Sequence, residues 1–178
     1  MHSMLNMEII FNKCYNIGNI NRGVFIMGLL NFLNNLFSNE MERKYDDLMD
    51  KVYNPEIRDD DLSQLDENEK VFYVIYYFNV EWQNGGLCQF FVNSSRRYAP
   101  LISEYLEIVG ALEHKKMYDK FIKDNDINVY DFSFFSHDEY KEYQEIHNAY
   151  PFDDFDDAFY DLGELDDYLE RFMKVKNI

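Results

Sequence analysis

The stretch Asp66–Asn93, DENEKVFYVIYYFNVEWQNGGLCQFFVN, decides the fold. An apolar run from Val71 to Trp82 stops at Asn84-Gly85-Gly86, and a second, Leu87 to Val92, stops at Asn93. Val, Ile, Tyr and Phe all favour strands, and periodicity alone does not separate a buried strand from a buried helix. Two signals favour helix. Asp66 followed by Glu69 has the form of a capping box. From there to Gly85 the chain is also about five helical turns long, beyond an ordinary strand. Gly85 and Gly86 supply the positive φ that ends a helix and redirects the chain. A helix apolar on nearly every side belongs inside a core, so residues 67–83 are expected at the centre. Asn79 and Glu81 interrupt the run and make it unfit to span a membrane.

Working outward, residues 40–53 read as an amphipathic helix with Met41, Tyr45, Leu48, Met49 and Val52 inward. Asn54-Pro55 breaks it, and Arg58-Asp59-Asp60-Asp61 reads as an exposed acidic loop. Pro100 opens a further helix, with Leu101, Tyr105, Ile108 and Val109 inward and Gly110 at its end. Residues 111–123 make another, with Leu112, Tyr118, Phe121 and Ile122 inward and Lys115, Lys116 and Lys120 outward. Residues 124–135 read as a loop. Ser136 caps a helix through His147, Pro151 interrupts, and helices at 152–162 and 164–174 are parted by Gly163. The fold class is all-α: a single-domain helical bundle around the central apolar helix. Upstream, residues 1–26 show no sustained period and read as a tail or an incorrectly assigned start. Residues 27–40 form an amphipathic N-terminal helix, carried by GLLNFLNNLF at 28–37, that docks on its own domain or on a partner chain. Residues 41–178 form an acidic helical domain.

The chain carries 34 Asp and Glu against 17 Lys and Arg, a formal net charge of −17. Such a chain avoids nucleic acid and anionic membranes and draws basic partners at long range. Its two cysteines, Cys14 and Cys88, make no disulfide framework, which suits a reducing cytoplasm. The histidines, His2, His114, His137 and His147, are not spaced as a metal motif. There is no phosphate-cradling loop and no nucleophile elbow. The runs Asp59–Asp61 and Asp153–Asp157 lack the mid-loop Gly and terminal Glu of a calcium loop. No catalytic residue, metal ligand or cofactor is expected, and the chain reads as a non-enzyme.

Glu81, Asn84, Gln89 and Asn93 lie among apolar residues, and buried polar groups must find partners. They bond to groups freed at the Gly85-Gly86 break, or else Glu81 and Gln89 line a small-ligand or hydrolytic pocket. The string from Glu81 through Asn84-Gly85-Gly86 and Gln89-Phe90-Phe91 to Asn93-Ser94 resembles the signature of the DNA-mimic protein family, small acidic helical bacterial proteins. Leu87 stands where an aromatic residue is more usual. Gly110-Ala111 and the acidic, Phe-rich C-terminal part fit as well, so the likeness covers roughly residues 41–175. It implies an all-α fold; fold alone does not imply function.

In 152–164, Phe152, Phe155, Phe159 and Leu162 take one face at spacings of three and four. Asp153, Asp157, Asp161 and Glu164 make a stripe on another, with Asp154 and Asp156 beside it and Asp166 and Asp167 extending it. Like charges at i, i+4 destabilise a helix by about 0.2–0.5 kcal/mol per pair, so local stability does not explain the stripe. It is a solubility device or a face for a partner. The leading expectation is a module that binds a basic nucleic-acid-binding protein, a transcription factor or a nuclease, in place of DNA, as a monomer or a homodimer. It would touch neither nucleic acid nor membrane. An immunity or anti-toxin protein blocking a nuclease is the first alternative, and the Glu81/Gln89 pocket the second.

Overall fold

The computed structural model describes residues 40–54, 59–131, 133–135 and 140–178. The leader, the 28–37 segment and Ser136 lie outside the described residues. Seven α-helices form within them: α1 (Glu40–Val52), α2 (Glu67–Val92), α3 (Ala99–Ile108), α4 (Leu112–Asp124), α5 (Tyr140–Ala149), α6 (Phe152–Tyr160) and α7 (Leu165–Lys176). A two-residue antiparallel ladder joins β1 (Tyr53–Asn54) to β2 (Asp59–Asp60). The fold is the expected all-α bundle. α2 runs through its middle and touches α1, α3, α5, α6 and α7, while α4 packs on α3 and α6.

α2 is specified locally and buried globally. Asp66 accepts from the Glu69 N–H at 2.9 Å, and the Glu69 carboxylate accepts from the Asp66 N–H at 3.2 Å, completing the capping box. Val71 to Tyr76 and Phe78 are all buried, and among them the buried polar residue Asn79 bonds Asp166. A fully buried side chain of this size contributes about 1.5–3 kcal/mol, and α2 collects such residues on every side. The helix is bent where the two glycines stand. Gly85 has φ −168° and Gly86 has φ +74°, so Gly86 carries the left-handed backbone that the sequence predicts for one of the pair.

Three readings need correction. Ile108 and Leu112, expected inward, are 45% and 51% exposed. The inner face of α3 is instead Ile102, Tyr105 and Leu106 with Val109 beyond its end, which keeps i, i+3, i+4, i+7 spacing. On α4 the buried set is His114, Tyr118 and Phe121, so a histidine occupies the position expected for an apolar residue. The Asp59–Asp61 stretch is not simply a solvated loop. The Asp60 side chain is 4% exposed, and its Oδ2 accepts from Tyr98 at 2.6 Å, Tyr73 at 2.9 Å and Arg97 at 2.6 Å. The 3-10 turn Ser94–Tyr98 places two of those donors. Tyr45 of α1 stacks on Tyr73 at 5.2 Å, so this cluster ties α1, α2 and the turn together.

Candidate functional site

α6 is nine residues long, and its phenylalanines orient everything else on it. Phe152, Phe155 and Phe159 are buried. Phe159 meets Trp82 at 4.9 Å and Phe78 at 6.1 Å, and Phe155 meets Phe121 at 5.0 Å. With those three rings inward, helical spacing sends Asp153, Asp154 and Asp157 to solvent. Asp161, Glu164 and Asp167 continue the exposed run across the Gly163 turn into α7. Asp153 Oδ1 lies 3.2 Å from His147 Nε2. The other five, Asp154, Asp157, Asp161, Glu164 and Asp167, meet no cation among the described residues.

Three lysines of α4, the helix packed on α6, are engaged elsewhere. Lys115 bonds Asp119 at 2.7 Å, Lys116 bonds Glu113 at 2.6 Å, and Lys120 pairs with Asp124. Lys174 pairs with Glu170 at 3.3 Å, and Arg171 stacks over the Tyr168 ring at 4.6 Å. No Lys or Arg stands between Phe152 and Glu170. The result is a run of carboxylates without a Lys or Arg partner among the described residues, beside a helix, α4, whose three acidic side chains are each paired with a lysine.

Two members of the predicted stripe are built into the fold instead. Asp156 is four residues after Phe152 and three before Phe159, so it shares their inner arc. Its Oδ1 accepts from Trp82 Nε1 at 2.8 Å and from the Leu87 N–H at 2.9 Å, just past the bend in α2. A Cβ on Gly86 would lie 2.0 Å from Asp156 Oδ2, so glycine is required there for close approach as well as for φ. Burial pushes the Asp156 carboxyl up to about 6, and the two N–H donors only partly offset it. Asp166 turns inward too: Asn79 Nδ2 donates to its Oδ1 at 2.8 Å, and burial raises its pKa.

The motif residues form a brace across the same bend. Glu81 Oε2 accepts from Gln89 Nε2 at 3.1 Å and from Asn93 Nδ2 at 2.7 Å. One carboxylate before Gly85-Gly86 thus holds two amides after it. Gln89 is buried and Glu81 half-buried, and a Cβ on Gly85 would meet Gln89 Oε1 at 2.1 Å. Asn84 is half-buried and makes no side-chain bond among the described residues. The geometry supports the structural reading of Glu81 and Gln89 over the pocket reading, since both side chains are spent on each other. A cavity of about 450 Å³ lies elsewhere, lined by Arg43, Lys44, Asp46, Asp47, Met173 and Ile178.

A further buried polar residue, His114, is missed by the sequence reading. His114 is fully buried, edge-on to Phe159 at 4.8 Å and to Tyr168 at 5.4 Å. Its Nε2 donates to the Gly163 carbonyl at 3.1 Å, and burial lowers its pKa. It fixes the turn between the two halves of the acidic run. Among the described residues no three His, Cys, Asp or Glu groups are arranged to hold a metal ion, and no helix is long and apolar enough to cross a membrane.

Residues 63–176, more than half of the chain, match the family model described as DMP19-like protein. No curated protein and no solved structure matches the chain.

Proposed function

The chain belongs to the DMP19-like protein family, a DNA-mimic type of domain, and on that premise we propose that it binds a basic, nucleic-acid-binding protein in place of DNA. The observation that carries this reading is the set Asp154, Asp157, Asp161, Glu164 and Asp167, exposed and without a cation among the described residues. Successive carboxylates one helical turn apart stand about 5–6 Å from each other. That is comparable to the phosphate repeat along one DNA strand, about 3.4 Å of axis per charge and longer along the backbone path. A basic groove shaped for phosphates would meet a similar density of negative charge. Asp153 joins this face when His147 releases it. Asp156 and Asp166 do not, because their oxygens hold α2.

Such an interaction is fast, steered by long-range charge and weakened steeply by salt. The experiment is capture of the host partner on the immobilised full chain at low and high salt, with duplex DNA as competitor. The variant Asp153→Asn, Asp157→Asn, Asp161→Asn keeps size and removes charge. Capture that DNA displaces, that salt suppresses and that the triple variant loses supports the reading. A triple variant that holds the same partner with unchanged affinity and salt dependence overturns it.

A further inference from the structure

Asn79 sits in the middle of α2 and is 2% exposed. Its Nδ2 donates to Asp166, but its Oδ1 is buried and has no donor among the described residues. Native folds rarely strand a buried acceptor in this way. The group across the 2.8 Å bond is a carboxyl group. An ionised carboxylate only accepts, whereas a carboxylic acid has one O–H to give. The edges of an acid and a primary amide are complementary, each with one donor and one acceptor. We propose that Asp166 keeps its proton in the folded protein and donates it to Asn79 Oδ1, so that acid and amide close a two-bond ring latching α7 onto α2.

The surroundings select the neutral acid. Burial is the first influence raising the Asp166 pKa, and Glu164 at the cap of its helix and Asp167 within it add to it; the Asn79 N–H is the one opposing contact. From α2 the Tyr76 hydroxyl faces the same region, and from α1 Glu42 and Asp46 lie near that tyrosine. From α4, His114 bonds the Gly163 carbonyl and is held toward its neutral form by burial. None of these facing groups supplies a positive charge that would hold Asp166 ionised. Because the folded pKa is raised, the latch contributes fully below the ordinary Asp value of 3.8 and is lost as pH rises through the folded value. Once ionised, Asp166 turns two acceptors toward each other, and the start of α7 loosens from α2. Glu164 and Asp167 leave the bundle at that point, yet the latch needs no partner to exist.

The test is a carbon-13 NMR titration of the Asp166 side-chain carboxyl in the full chain, assigned by its absence from Asp166→Asn. Melting temperatures of both proteins are followed from about pH 4 to about pH 8. In the variant an NH2 takes the place of the acid O–H. The expected results are a carboxyl titrating clearly above 3.8 and a variant that melts several degrees above wild type at the alkaline end. The two proteins should converge at the acid end. A carboxyl titrating at or below 3.8, or a variant melting at or below wild type across the range, overturns the latch. If the variant does not fold, the wild-type titration decides alone.

Discussion

Asp156 and Asp157 are neighbours in sequence and opposites in the structure. Asp156 accepts from the Trp82 indole and the Leu87 backbone and sits against Gly86. Asp157 is exposed and meets no cation among the described residues. The same contrast separates Asp60, Glu81 and Asp166, each bonded to donors from other parts of the chain, from Asp154, Asp161, Glu164 and Asp167. Net charge alone therefore does not tell which carboxylates are exposed charge in so acidic a protein. What separates them is whether the fold supplies donors. Inner carboxylates act as acceptors that hold helices together, and outer ones remain available as charge.

The contrast makes predictions of falling size. Asp60→Ala should cost about 3–5 kcal/mol, because it removes a buried carboxylate that Arg97 and two tyrosine hydroxyls share. Urea denaturation measures it, and a loss below about 1 kcal/mol would move Asp60 to the outer class. Gly86→Val should cost about 3 kcal/mol, since positive φ and the contact with Asp156 both oppose a side chain. Gly85→Ala should cost only about 1 kcal/mol. Its φ of −168° suits any residue, and the atom in the way is the far end of Gln89, which would give up its bond to Glu81. Equal losses at the two glycines would break the distinction between approach and strain.

Asp156→Asn sharpens the contrast through pH. The carboxyl is raised from 3.8 to about 6. Its favourable contribution is thus complete below 3.8 and is lost as pH rises through about 6. The asparagine variant should lack this dependence and gain about 1–3 kcal/mol over wild type above pH 7, read from denaturation midpoints across the range. Smallest of all is the stability change in the triple variant of Asp153, Asp157 and Asp161. Relief of like-charge repulsion should raise stability by a few tenths, about 0.2–0.5 kcal/mol per i, i+4 pair. Thermal melting at low salt measures it, and a loss above about 1 kcal/mol would show that the outer stripe belongs to the fold.

Much of the frame was legible because its signals are local. The capping box at Asp66, the break at Gly85-Gly86, the turn at Gly163 and the Pro100 start each depend on residues a few positions apart. The Glu81 brace was legible in outline, since amides and a carboxylate flank one glycine pair. Asp60 was not, because its donors stand 13, 37 and 38 residues away and no short window contains them. Asp156 and His114 fall between. Spacing from Phe152 and Phe159, and from Tyr118 and Phe121, places each on an inner arc, yet reading residues by polarity set Asp156 beside the outer stripe and left His114 out of the inner face. Polarity predicts burial only until a fold supplies the donor.

Trp82 is the one tryptophan of the chain, and its ring nitrogen is held by Asp156 while its ring lies 4.9 Å from Phe159. The tryptophan emission, isolated by exciting beyond the absorption of the tyrosines, therefore originates at the joint between α2 and α6. Emission wavelength and quenching will follow the protonation of Asp156 and the seating of α6 before they follow global unfolding. A partner landing on the outside of α6 is separated from that fluorophore by a single helix. The unlabelled protein thus carries its own optical probe of whether the acidic face has been touched.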